Sequence, residues 1–265
     1  MCAERSMPTP SDDAAADIAL CRATLYGALA LGFRPPTAET IERLVSAAGA
    51  AALADAARLL DAHAGVPGLA ACAAALHCPE PALELLAHEY RRLFGHTARG
   101  AVPAYETEYG CEALFQQPQE LGDLAGFLRA FGLTLLPAAR ERVDHVSCEC
   151  EFLSFLAWKE AYALHAGDGP MREATEHAAR LFLRDHLGRF VPAFCVRLVR
   201  EQPHRFYGAL GELLRVLTQR DCERLGVPSG LESLGLRPDP ATVSVPRGCG
   251  AEADCGACPG GVDSP

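Results

Sequence analysis

Lysine is almost missing from this chain: Lys159 is the only one in 265 residues, so positive charge rests on scattered arginines. Lys and Arg together number 24 against 34 Asp and Glu, for a net charge of -10. A nucleic-acid-binding surface draws its affinity from cationic contacts to phosphate, which makes nucleic acid a poor partner here. An acidic surface instead suits a cationic partner, besides keeping a protein in solution. Long hydrophobic runs are also missing. No window of about 18 uninterrupted apolar residues occurs, so a membrane span is not expected. Residues 1–17 contain Asp12, Asp13 and Asp17 where a secretory signal needs a cationic start and an apolar run. The chain is therefore expected to be cytoplasmic.

Familiar catalytic patterns are missing as well. Neither common Gly-rich phosphate loop is present, nor a nucleophile elbow. His88-Glu89 has Arg92 where a zinc protease places its second histidine. A carboxylate-bridged di-metal bundle needs Glu-x-x-His on two helices. Here Glu201 to His204 alone has that spacing, with Pro203 between them, while Glu84–His88 and Glu173–His177 are spaced by four. A binding protein is expected rather than an enzyme.

What is present is helix-forming sequence. Alternating β-branched runs are scarce, and alanine, leucine, arginine and glutamate dominate. The expected architecture is all-α: about ten helices in one domain over residues 12–225, after a flexible N-terminus at 1–11. Glycine and proline punctuate it. Helices are expected from Ser11 or Asp12 to about Leu31, Thr37 to about Ala48, Gly49 to near Gly65, and briefly to Leu76. Others run from Pro79 or Pro81 to Phe94, and from Pro118 to Phe131. The central helix is expected from Asp144 to His165. Pro170 to His186 follows, with Gly188 as the breaker before Phe190–Glu201, and the last runs from Pro203 to about Leu225. Residues 95–110 are expected to be irregular, and 226–265 an extended or disordered Gly/Pro/Cys-containing tail.

The chemistry concentrates at Asp144-His145-Val146-Ser147-Cys148-Glu149-Cys150-Glu151. Read locally, Asp144 is an N-cap and His145 a first-turn surface residue. Read functionally, the pair stands at the mouth of a groove. Its histidine would donate to a ligand carbonyl or sense pH, and its aspartate would hold a partner's arginine. Both readings can hold together. His145 and Glu149, four apart, share a helix face, whereas Glu151 points elsewhere and is expected to pair with an arginine of another helix. Acid–base catalysis by Asp144, His145 and Glu149 is permitted by residue type, but no nucleophile or substrate cradle accompanies them.

Twelve cysteines are present. Cys21, Cys72 and Cys195 sit singly among apolar neighbours and read as small core residues; no disulfide is inferred. The tail differs. Cys249-x5-Cys255-x2-Cys258 has spacing that suits zinc or an iron–sulfur cluster. Its fourth ligand would have to come from Cys222, Cys2, a histidine or another chain. The alternative is a flexible, redox-exposed tail without a ligand.

Four segments, in order, resemble the TorD/DmsD/NarJ-like chaperones that mature molybdenum enzymes. Glu89-Tyr90-Arg91-Arg92-Leu93-Phe94 looks like the family's E-Y-x-x-L-F. Pro103-Ala104-Tyr105-Glu106-Thr107-Glu108-Tyr109 is similar to P-x-Y-E-S-x-Y, with threonine for serine. Asp144 to Glu149 matches D-H-x-x-x-E. Phe182 to Phe194 looks like F-L-x-x-H-L-x-x-W-x-P-x-F, with Phe190 in place of tryptophan. The resemblance spans roughly residues 12–225 and excludes the cysteine tail.

It implies packed helices and a role without catalysis. Such a protein binds the twin-arginine leader or the apo-form of a molybdopterin-containing catalytic subunit, and so delays export until the cofactor is inserted. Tyr105, Glu106, Asp144, His145 and Glu149 would line the leader-binding region. Tyr90, Phe94, Phe152, His186 and Phe190 would be structural. No cofactor is required for that role. A transient contact with molybdopterin guanine dinucleotide is left open, as is the choice between monomer and homodimer. The alternative function is an iron–sulfur or metal-binding redox accessory protein that works through Cys249, Cys255 and Cys258.

Overall fold

The computed structural model describes residues 10–79, 83–95, 99–110, 117–135, 141–201 and 206–238. Among these residues the regular structure is helical, in ten α-helices. They are α1 (Pro10–Gly32), α2 (Ala38–Thr40), α3 (Ala47–Ala64), α4 (Leu69–Ala74), α5 (Leu83–Phe94), α6 (Gln117–Ala130), α7 (Val146–His165), α8 (Gly169–Asp185), α9 (Leu187–Glu201) and α10 (Phe206–Leu225). A π-helical turn, Ile41–Val45, joins α2 to α3, and a 3-10 turn, Glu106–Glu108, lies between α5 and α6.

The helix ends follow side-chain chemistry. Thr37 and Thr40 form the capping arrangement that starts α2. Ser46 accepts from the Gly49 amide at 3.0 Å and starts α3. The Thr37–Ala48 helix therefore breaks at Ser46 rather than at Gly49. Gly49 serves a different purpose: a Cβ there would stand 2.5 Å from the Arg43 backbone, so only glycine lets the turn and α3 meet this closely. Asp168 caps α8 through Met171 N at 3.0 Å. The α8–α9 break falls at His186, two residues before the expected Gly188, and Gly188 lies in the first turn of α9.

The core is one large apolar cluster, with a small satellite of Ala16, Ala19, Ala161 and Leu164 between α1 and the C-terminal end of α7. α1 and α7 run antiparallel through it. Arg22 pairs with Glu160 at 2.6 Å, Ser154 Oγ donates to Ala23 O at 2.8 Å, and Arg34 pairs with Glu151. A Cβ on Gly27 would meet Ser154 Oγ at 3.3 Å, so the small residues of α1 let the two helices approach closely. By length and composition α1 could cross a membrane, yet 56% of that stretch is buried inside the bundle, as befits a core helix. Leu210, Leu213, Leu214 and Leu217 of α10 are buried against α9 and the rest of the core. Each such leucine contributes about 1.5–3 kcal/mol by burial.

Two aromatic groups fix the bundle. Phe33, Tyr90, Phe94, Phe190, Phe194, Tyr109 and Tyr207 form one chain of ring contacts. Phe127, Phe131, Phe152, Phe155, Phe182 and His186 form the other. Tyr90, Phe94, Phe152, His186 and Phe190 are all buried. Phe190 lacks a tryptophan's N–H but fills its place with its ring 5.4 Å from Tyr109.

The described part of the C-terminal segment, 226–238, is extended and docked onto the bundle. Pro192 inside α9 has no N–H, which frees the Gly188 carbonyl four residues earlier. Gly230 N donates to that carbonyl at 2.9 Å. Cys249, Cys255 and Cys258 lie outside the described residues.

Candidate functional site

The site is built where the loop 102–110 is zipped against the start of α7. Val146 N donates to Ala104 O at 2.9 Å and Glu106 N to Asp144 O at 2.8 Å. Tyr105 and His145 thereby face each other in a single antiparallel bridge, their rings edge to face at 5.1 Å. The same loop is held from its other edge: Tyr109 bridges Leu236, and Arg237 N donates to Glu108 O at 2.8 Å. Gly110 has φ 135°, a conformation that favours glycine, and a Cβ there would stand 3.3 Å from the Arg237 guanidinium.

Tyr105, Glu106, Asp144, His145 and Glu149 are brought together. Glu106, Asp144, His145 and Glu149 are buried, and Tyr105 is half-buried. Asp144 is not the N-cap. It precedes the helix and turns its carboxylate to the loop, accepting from Thr107 Oγ1 at 2.7 Å and, in bidentate fashion, from Arg142 Nε at 3.0 Å and Nη2 at 2.7 Å. The Thr107 hydroxyl explains why threonine can stand where the family motif has serine.

His145 is the N-cap of α7. Its Nδ1 accepts from the Ser147 amide at 3.2 Å and lies 2.7 Å from Ser147 Oγ. An amide can only donate, so the imidazole is neutral with its proton on Nε2. Burial holds its pKa below the ordinary 6.5, against the opposing pull of Glu141 and Asp144. It is not the first-turn surface residue that local pattern suggests.

Glu106 lies deeper, with Oε2 accepting from His186 Nδ1 at 3.1 Å and Oε1 from Arg189 Nη2 at 2.9 Å. Arg237 Nη1 donates to Thr107 O at 2.9 Å and its Nη2 to Glu120 at 2.8 Å, tying the C-terminal segment and α6 to the loop. Glu149 is different. It is buried, and neither carboxylate oxygen has a hydrogen-bond partner. Burial, then the nearby charges of Glu106 and Asp144, push its pKa well up, with Arg189 opposing. Burial without a partner thus favours the protonated form of Glu149.

At the surface above these groups stand Tyr105, Glu141 and Arg142. Tyr105 OH donates to Glu141 at 3.1 Å, and burial followed by the Glu141 charge pushes its pKa up to about 12. A ring, a carboxylate and a guanidinium thus stand together over the buried Glu106, Asp144 and Glu149. Among the described residues no group of His, Cys, Asp and Glu is placed to hold a metal ion.

Thr107, Arg142, Arg189 and Arg237 were not singled out by sequence pattern. Thr107 and Arg189 lie inside the matching segments, and Arg142 stands two residues before Asp144, so their nearness in sequence was a usable signal. Arg237 carried none.

Residues 40–196 match the nitrate reductase delta subunit family. The chain is 27% identical over 217 residues to a perchlorate reductase assembly chaperone protein of Dechloromonas aromatica (strain RCB), covering 78% of this chain and 92% of that one. It is 37% identical over 106 residues to a chlorate reductase assembly chaperone protein of Ideonella dechloratans (40% of this chain, 53% of that protein). It is also 37% identical over 102 residues to a selenate reductase assembly chaperone protein of Thauera selenatis, covering 38% and 52%. The matches thus span about half the length of the chlorate and selenate reductase assembly chaperones. On this match, which takes in the loop, the start of α7 and the His186–Phe194 segment, the chain belongs to the nitrate reductase delta subunit family of NarJ/TorD-type chaperones.

Proposed function

We propose that this protein is a cytoplasmic assembly chaperone dedicated to one molybdopterin-containing oxidoreductase. It holds the catalytic subunit's leader, its apo-form or both until the cofactor is in place. The observation that carries this is the set of three relatives, each named as a reductase assembly chaperone. The physical character of the site supports it: a half-buried tyrosine and a buried carboxylate framework suit an arginine-bearing peptide. The net charge of -10 favours approach of such a peptide. The role is binding rather than catalysis, and the protein needs no cofactor of its own for it.

Because Asp144, His145 and Glu106 also hold the loop and helix together, substituting them conflates folding with binding. Tyr105 is the better probe. Calorimetric titration with leaders of the molybdopterin-containing subunits made in the same cells should show one leader binding, and Tyr105→Ala should weaken it about tenfold with the melting temperature little changed. Binding of no leader and no apo-subunit would remove the proposal.

A further inference from the structure

A carboxylate beside an aromatic face is a cradle for a guanidinium group: the two oxygens take parallel N–H bonds and the ring takes the cationic plane. Asp144 and Tyr105 form such a cradle, and its occupant is the chain's own Arg142. Arg142 meets Asp144 with Nε at 3.0 Å and Nη2 at 2.7 Å, and its Cζ lies 4.5 Å from the Tyr105 ring centroid. The same Nη2 lies 2.8 Å from Thr107 Oγ1.

The exposures show what this group does. The Arg142 side chain is 47% exposed, whereas that of Asp144 is 0%. Arg142 is the cover over a buried carboxylate, and it sits at the solvent boundary. A guanidinium from outside can therefore take its place without the core opening. Glu141, bonded to Tyr105 OH at the rim, adds a second negative charge beside the cradle.

We propose that Asp144, Tyr105 and Thr107 form a guanidinium-binding subsite, self-occupied by Arg142, and that a partner peptide enters by exchanging its own arginine for Arg142. The peptide's identity rests on the client-capture function proposed above; the subsite does not. Arg142 is tethered two residues from Asp144 and competes at high effective concentration. A lone arginine is excluded by that competition, and only a peptide with further contacts displaces it. Lysine, a point charge without the planar fork, is a poor substitute.

The experiment is a thermal-shift titration with millimolar ethylguanidinium on wild type, Arg142→Ala and the double variant Arg142→Ala/Asp144→Asn. Arg142→Gln, which keeps a neutral donor, takes the place of Arg142→Ala should the latter not fold. A saturable rise in melting temperature is expected in the single variant alone, with ethylammonium giving far less. An equal shift in all three proteins, or none in the single variant, would overturn the subsite. In a second arm, a twin-arginine leader should bind Arg142→Ala about fivefold or more tighter than wild type. Equal binding overturns the exchange. Ethylguanidinium rescue with no leader binding to either protein upholds the subsite and contradicts client capture instead.

Discussion

Thr107 Oγ1 donates to Asp144 Oδ2 at 2.7 Å, across 37 residues of chain, and this bond fastens the motif loop to the start of α7. The Thr107 hydroxyl also faces Arg142 Nη2 at 2.8 Å, so one small polar group serves both partners. Thr107→Ser should be close to wild type. Thr107→Val should cost about 1–2 kcal/mol in urea unfolding, because a buried carboxylate loses a donor. The double variant Thr107→Val/Asp144→Asn should show coupling on the order of 1 kcal/mol; strict additivity would show that the bond does not carry the junction.

His145→Ala should lower stability by about 1 kcal/mol, the usual worth of a helix N-cap, and His145→Asn should restore most of it. The pH dependence has a definite sign. With the folded-state pKa held below 6.5, the unfolded chain takes a proton on this residue that the folded chain refuses as pH falls beneath 6.5. Stability should therefore drop toward acid, and His145→Asn should remove that part of the slope. Melting curves between pH 7 and pH 5 give the comparison.

Glu149 works in the opposite direction. Its folded-state pKa is raised well above the ordinary 4.5, so the native state keeps a proton that the unfolded chain releases. Stability contributed by the protonated acid is complete below pH 4.5 and is lost as pH rises toward the folded value. Glu149→Gln mimics the neutral acid at every pH. It should stabilise the protein at neutral pH by about 1–3 kcal/mol and make no difference near pH 4. Destabilisation by this substitution at pH 7 would mean that Glu149 is ionised and paired.

Arg237 ties the C-terminal segment to the loop through Thr107 O, Glu120 and the backbone of Glu108. Arg237→Ala should cost about 1–3 kcal/mol and speed amide exchange at Tyr109 and Gly110. Exchange that rises instead only in α1 or α10 would place its effect elsewhere.

Helical periodicity and Gly/Pro punctuation were enough to place the ten helices, because each helix buries an apolar face and ends at a residue with special backbone needs. They misplaced junctions where packing decides. Gly49 looks like a breaker but permits a close crossing, and Ser46 supplies the break. The motif segments bring Tyr105, Glu106, Asp144, His145 and Glu149 to one place in the fold, where the loop meets the start of α7. Their roles were not legible. An aspartate before a helix looks like its cap, but the loop it binds comes from 37 residues earlier, and His145 takes the capping position. The docking of Arg237 could not be foreseen, because a Gly/Pro-rich segment has no period from which to read a contact.

The most direct test of a chaperone role is to purify the tagged protein from its native cells under anaerobic growth, wild type and Tyr105→Ala in parallel, and quantify bound proteins by mass spectrometry. Wild type should carry one molybdopterin-dependent catalytic subunit in its cofactor-free form, and Tyr105→Ala should carry several-fold less. Recovery of no such subunit with the wild-type protein, in cells that are making the reductase, would contradict it.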